Sequence, residues 1–191
     1  DLSFTVMAAD NSLERIREKG KFVVGLDDTF APMGFRDEEG NLVGFDIDLA
    51  RVVAERMGVE VEFKPVDWDG VILSLKSGLI DVIWNGLTIT EERAKQINFT
   101  EPYMNNRQVI VVRMNSDIQT KQDLAGKVVG LQMGSSSVNA LYSDPDLVKS
   151  LKDIRQYATN AEALMDLQIG RLDAVVVDEM HGRYYYISKK P

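Results

Sequence analysis

The sequence predicts an α/β protein of two lobes, each a parallel-rich sheet with flanking helices. Three observations carry that reading. Apolar runs between residues 22 and 84 follow a β-α-β-α-β order, a related signature recurs between residues 128 and 178, and an extended β-branched run lies between them. Strands joined through helices require crossovers, and crossovers produce parallel sheets.

In chain order, residues 22–26 (FVVGL) read as a first strand and 46–57 as a helix with Leu49, Val52, Val53 and Met57 on one face. Residues 59–63 alternate as a second strand, 69–76 form a short helix with Val71, Ile72 and Leu75 inward, and 79–84 make a third strand. The tetrad VVGL occurs at 23–26 and again at 128–131, and SLKSGLIDVI (74–83) has a counterpart in DLQIGRLDAVV (166–176). One offset superposes Leu75 on Leu167, Gly78 on Gly170, Asp81 on Asp173 and Ile83 on Val175, which favours two lobes of one architecture. Residues 108–113 (QVIVVR) suit a strand crossing from lobe to lobe, giving a first lobe of 1–107 and a second of 114–191.

Composition removes several functions. The 191 residues are 45% hydrophobic and 27% charged, a globular balance. A net charge of −8 argues against nucleic acid, whose phosphates need clustered Lys and Arg. Without cysteine there is no disulfide, thiol catalysis or Cys-ligated zinc, and no cofactor or metal is implied. One histidine, His181, cannot build a multi-His metal site, and no Gly-x-Ser-x-Gly elbow accompanies it; it reads as a surface or lobe-edge residue. Residues 2–9 are mildly apolar but short and lack a basic leader, so they read as a leftover or expression-derived N-terminus.

In open parallel sheets, ligands bind beyond the carboxyl ends of the strands. Asp27 and Asp28 follow the first strand, and Asn85, Gly86 and Thr88 follow the third. Thr90 suits a helix N-cap and Glu91 and Glu92 suit the helix dipole, yet Arg93 falls where a capping box would place Glu or Gln. In the second lobe Gln132, Gly134, Ser135 and Ser136 follow 128–131, and Asp178 ends 174–177. Alone, the serine loop reads as an ordinary N-cap and Arg93 as a surface ion pair. Together they give each lobe an anion-friendly turn, and Asp178 adds a carboxylate at a comparable strand end. A zwitterion needs both signs close together: its carboxylate on Arg93, its ammonium on Asp178. Asp27 is a second carboxylate, as suited to capping a loop as to meeting a ligand. Trp68, Trp84 and Phe30 each read first as core; Trp68, in the loop-like PVDWDG, is the best candidate for a pocket wall, and an aromatic face beside Asp27 would suit a cationic or polar side chain.

The segments GLDDTFAPMGF, GNLVGFDIDLA, LKSGLIDVIWNGLTITEERAKQINFTEPY, GKVVGLQMGSSS and GRLDAVVVDE, in that order, resemble the polar amino-acid-binding proteins of ABC importers, solute-binding family 3, over residues 13–183. The resemblance implies a periplasmic-binding-protein-like (type II) fold and a non-catalytic function: binding arginine, lysine, histidine or glutamine for a membrane permease. It implies that Arg93 clamps the α-carboxylate with Ser136 from the second lobe. Thr88 contacts carboxylate and ammonium, Gly86 offers a carbonyl, and Asp178 holds the ammonium. Asp27 faces the side chain, Phe30 and Trp68 sandwich it, and Asn85 and Gln132 vary with ligand. Asn85-Gly86 stands where lysine/arginine/ornithine binders have Ser-Ser, Gln132 replaces an apolar residue there, and glutamine binders share Gly-x-Thr.

A family member also recrosses after its second lobe to complete the first with a strand and helices. Ending at Pro191 in RYYYISKKP, this chain is expected to lack that return segment, leaving an exposed apolar face and sheet edge that favour a homodimer or swapped dimer. The expected location is periplasmic or extracellular, with lipoprotein anchoring in the precursor as one form. A small-carboxylate dehydratase on the same scaffold, a receptor-type sensing domain, and a truncated fragment that no longer binds and mainly self-associates stay open as alternatives.

Overall fold

The structure, a computed structural model, describes residues 10–189, so the stretch 2–9 lies outside the described residues. Helix α1 (Ser12–Lys19) leads into β1 (Lys21–Leu26). The next three strands, β2 (Thr29–Phe30), β3 (Gly34–Arg36) and β4 (Leu42–Val43), form a small antiparallel meander. Then come α2 (Phe45–Met57), β5 (Glu60–Pro65), a 3-10 turn at Trp68–Gly70, α3 (Val71–Lys76), β6 (Val82–Ile83) and the short α4 (Glu91–Ala94). The first sheet has the order β5-β1-β6, and its strands are parallel.

The second half repeats the plan with one addition. It runs through β7 (Gln108–Val112), β8 (Val128–Gln132), α5 (Ser136–Tyr142), α6 (Pro145–Ser150), β9 (Asp153–Tyr157), α7 (Asn160–Gln168), β10 (Ala174–Asp178) and α8 (Glu179–Lys189). Its sheet has the order β7-β10-β8-β9. β8 is parallel to both neighbours, and β7 pairs antiparallel along all of β10.

The sequence repeat has a physical basis. Asp81 donates its N–H to the Val23 carbonyl (2.8 Å) and accepts the Val23 N–H on Oδ2 (2.8 Å). Asp173 makes the same pair with Val128, at 2.9 and 2.8 Å. Each aspartate thus ties the start of its own strand to the strand beside it. The glycine of each VVGL faces the residue before that aspartate. A Cβ on Gly25 would lie 2.3 Å from Ile80 Cδ1, and one on Gly130 2.3 Å from Leu172 Cδ1. Only glycine lets those buried side chains cross the strand.

Both sheets are covered on both faces, as parallel sheets require. In the second, Val129, Leu131, Ala174 and Val176 pack against Leu124 and Leu141. On its other face Val175 and Val177 meet Ala163, Leu164, Leu167 and Leu172. In the first, Phe22 and Val24 meet Ala50 and Ala54 of α2, while Val23 meets Val71 and Ile80. This corrects the expected inner face of α2. Ile47, Ala50 and Ala54 point inward because small residues let the helix close on the sheet, and Val52 is 44% exposed. The third strand is shorter than the run 79–84: Leu79 is exposed, Ile80 turns under Gly25, and only Val82–Ile83 joins the ladder. β6 is an edge strand, and an apolar hollow of about 690 Å³ lies beside it, lined by Phe22, Val82, Trp84, Ile97, Phe99 and Met104 among others. No helix among the described residues is long and apolar enough to cross a membrane.

Candidate functional site: the interlobe cleft

Asp27, Phe30, Trp68, Asn85, Gly86, Thr88, Arg93, Gln132, Ser135, Ser136 and Asp178 all line one cleft at the carboxyl ends of β1, β6, β8 and β10. The space between them is about 10 Å³, roughly one water, because their side chains reach across to one another. Anything larger than a water fits there only if these side chains move apart.

Thr90 caps α4 by accepting the Arg93 N–H (3.2 Å), which turns the Arg93 side chain inward. Arg93 is only 8% exposed, and burial lowers its pKa, opposed by the charge of Asp178. Its guanidinium donates to the Thr88 carbonyl of its own lobe (2.9 Å) and across the cleft to the Gly134 carbonyl (3.0 Å). These two bonds occupy part of a five-donor fork. Gly134 has φ 67°, and a Cβ there would lie 2.9 Å from Asp69 Cα in the first lobe, so glycine is needed for both the turn and the close approach.

Asp178 is 7% exposed at the end of β10, and burial raises its pKa. Asn106 Nδ2 and Gln108 Nε2 both donate to its Oδ1, the latter at 2.8 Å, which favours the ionised form. Arg93 and Asp178 make no direct ion pair among the described residues, yet each supports the other's charge. Two buried, opposite charges held apart in one cleft suit a molecule carrying both signs.

Gln108 also donates to Ser136 Oγ (3.0 Å) and accepts from Ser137 (2.6 Å), and Ser136 reaches Thr88 Oγ1 across the cleft (3.3 Å). The Ser135 hydroxyl donates back to the Gln132 carbonyl (2.7 Å) instead of capping α5. At the far end, Asp27 Oδ1 accepts from Thr29 N and Oγ1, and Oδ2 accepts from Gln132 Nε2 (2.8 Å). Asn160 donates to Gln132 Oε1 (2.9 Å), which fixes the amide so that its donor faces Asp27. Asn85 Oδ1 accepts the Asp27 N–H (3.1 Å). Gly86, at φ 60°, donates to Tyr103 Oη (3.2 Å), and Tyr103 donates to buried Asp46 (2.9 Å). Desolvation pushes the Asp46 carboxyl up to about 6.

Several supporting residues escaped the sequence reading. Asn106, Gln108, Asn160, Tyr103 and Asp46 stand behind the cleft residues and carry no periodic signal. His181, expected at a surface or lobe edge, is 2% exposed and stacked on Phe30. The sequence hint was its place three residues beyond Asp178. Among the described residues no cluster of His, Cys, Asp and Glu could hold a metal.

This fold and cleft define a ligand-binding protein of the two-lobed, type II class. The family model of bacterial extracellular solute-binding proteins, family 3, matches residues 22–174, and the chain belongs to that family. It is similar to the L-cystine-binding protein TcyJ of Escherichia coli (36% identity over 181 residues) and to the L-arginine-binding protein of Pseudomonas aeruginosa (32% over 181 residues). Each match covers 94% of this chain and 66% of the relative, so the chain spans just under two thirds of their length. A Streptococcus pneumoniae ABC uptake transporter substrate-binding protein with bound histidine superposes at a TM-score of 0.92 with 37% identity, covering 96% of this chain and 76% of that one.

Proposed function

We propose that the chain binds a free polar or cationic L-α-amino acid between its lobes for delivery to the permease of an ABC importer. The observation that carries this is the buried Arg93 and Asp178, one from each lobe, facing one cleft without pairing directly. In this reading Arg93, with Ser136 and Thr88, takes the α-carboxylate, while Asp178, with Thr88 and the Gly86 carbonyl, takes the ammonium. Asp27 meets the side-chain end between Phe30 and Trp68, with Asn85, Gln132 and Ser135 shaping the pocket. Closure about the interlobe connections brings the two sets together. The strand expected to cross between the lobes, β7, pairs along the whole of β10, so we take the first lobe as 1–107 and the second as 108–191. Similarity to binders of cystine, arginine and histidine supports the ligand class.

Calorimetry with arginine, lysine, histidine, glutamine and cystine tests this. One of them binding at micromolar or better affinity, with binding lost in Arg93→Ala and Asp178→Ala, supports it; retained binding in both variants refutes the assignment. Asp27 already accepts three hydrogen bonds, which suits a side-chain anchor better than a general base. Turnover of small carboxylates would favour the dehydratase alternative. We place the protein in the periplasm or outside the cell, with lipoprotein anchoring as one form. The open β6 edge and its apolar hollow support self-association of the 191-residue chain. Light scattering that finds a monomer at high concentration contradicts that part.

A further inference from the structure

His181 has no part in the ligand contacts above, yet it joins the lobes. It lies in the first turn of α8, which packs on the second sheet through Gly182, whose Cβ position lies 3.1 Å from Val111 and 3.2 Å from Val177. Its imidazole stacks on Phe30 of the first lobe (centroids 4.9 Å apart, 27° between planes), and Nδ1 meets the Ala31 carbonyl at 2.5 Å. A carbonyl only accepts, so Nδ1 carries the hydrogen and the neutral ring keeps Nε2 as a bare lone pair. Nε2 is buried with no hydrogen-bond partner among the described residues. Protonation would put an N–H there with no acceptor, in a position closed to water. Because Phe30 and Ala31 belong to the first lobe and α8 packs on the second sheet, any parting of the lobes would break both contacts and open the ring to solvent.

We propose that His181 is a positioning residue and a proton-linked latch: neutral, it holds Phe30 and Ala31 against α8 in the closed cleft; protonated, it releases them and weakens the grip on the amino acid. The proposal rests on the reading that the amino acid is bound between the lobes. Asp27 of the first lobe and Asp178 of β10 are the charges that favour the protonated ring, and burial outweighs them, lowering its pKa. On α8 itself, Glu179 is held by Arg107 and Arg183, and Tyr184 packs on Phe35. A bound ammonium on Asp178, and a cationic side chain on Asp27, would occupy the two carboxylates that support an imidazolium. Ligand and proton are therefore antagonists.

The sign follows. A ring whose pKa is lower in the closed cleft than in the open protein favours closure above the open-form pKa, about 6.5 for a solvated histidine, and loses that contribution as pH falls through it. One proton changes affinity by at most about tenfold per pH unit.

The test is calorimetry with arginine and with glutamine, neither of which titrates between about pH 5.5 and 7.5. The wild type is expected to bind on the order of tenfold more weakly at the lower pH. His181→Asn keeps a donor for Ala31, His181→Phe keeps the stack, and both should lose that slope. A pH-independent wild type, or an equal slope in the variants, overturns the latch. Nitrogen NMR of the chain's one histidine gives a readout without substitution. A ligand-bound ring with hydrogen on Nδ1 and a pKa below that of the free protein supports the proposal, and a bound-state pKa equal or higher overturns it. If no amino acid of the panel above binds at neutral pH, the reading beneath fails and the coupling falls with it; binding that ignores pH removes the coupling alone.

Discussion

Helices α4 and α7 begin alike and serve opposite ends. Each opens on a threonine whose hydroxyl accepts the N–H three residues on, at 3.2 Å from Arg93 and 3.1 Å from Glu162. In α7 that third residue is Glu162, which returns a hydrogen bond to the Thr159 N–H (3.2 Å) and completes a capping box. In α4 it is Arg93, which leaves the cap unreciprocated and sends a cation into the cleft. One cap stabilises its helix; the other orients a charge. A departure from local helix rules thus marks the site, because nothing in the stability of α4 asks for a buried cation at its start.

Replacing that cation tests the contrast most severely. Arg93→Gln supplies the residue a capping box prefers and removes the charge. Amino-acid affinity should fall by at least about 100-fold, since Asp178 and the ligand carboxylate lose their buried counter-charge. The melting temperature should hold or rise. Unchanged affinity in calorimetry would break the comparison.

A third helix start sharpens it. Asp46, in the first turn of α2, is buried and titrates near 6, against 3.8 for the free side chain. A carboxyl whose pKa is raised on folding binds protons more readily in the native state, so stability falls as pH rises from about 4 to 6 and stays reduced above. Asp46→Asn keeps an acceptor for Tyr103 and should add on the order of 2 kcal/mol at neutral pH while flattening that slope. Urea unfolding at pH 4 and pH 7 reads it directly, and an unchanged difference between wild type and variant at the two pH values counts against it.

Gly134→Ala should weaken ligand binding by about tenfold, because the methyl meets Asp69 only when the lobes are closed and the left-handed backbone adds strain. An equal loss in thermal stability without ligand would show instead a fault in the second lobe's own fold. The smallest effect belongs to α7: Thr159→Ala should cost about 1 kcal/mol of stability and leave affinity unchanged. Weakened binding in Thr159→Ala would mean the two caps are not separated in function.

Much of the fold is legible in the sequence alone. β1, β8 and β10 announce themselves as apolar runs, and the paired VVGL tetrads and aspartates mark two lobes. The meander β2–β4 was not legible, since strands of two or three residues leave no alternation to read. β6 contracted to two residues because Ile80 is drawn under Gly25 and Asp81 bonds back to Val23. The eleven residues that strand ends and resemblance single out all line the one cleft. Gln108 and Asn106, which orient Asp178, and Asn160, which orients Gln132, were missed because their partners lie far away in sequence.

The central claim is that Arg93 reads the α-carboxylate. Its most direct measurement is a calorimetric cycle comparing wild type and Arg93→Ala with the bound amino acid and with its α-amide. Wild type should lose about 100-fold or more on amidation, and the variant almost nothing, because the group that senses the charge is gone. Equal losses in the two proteins would contradict the account.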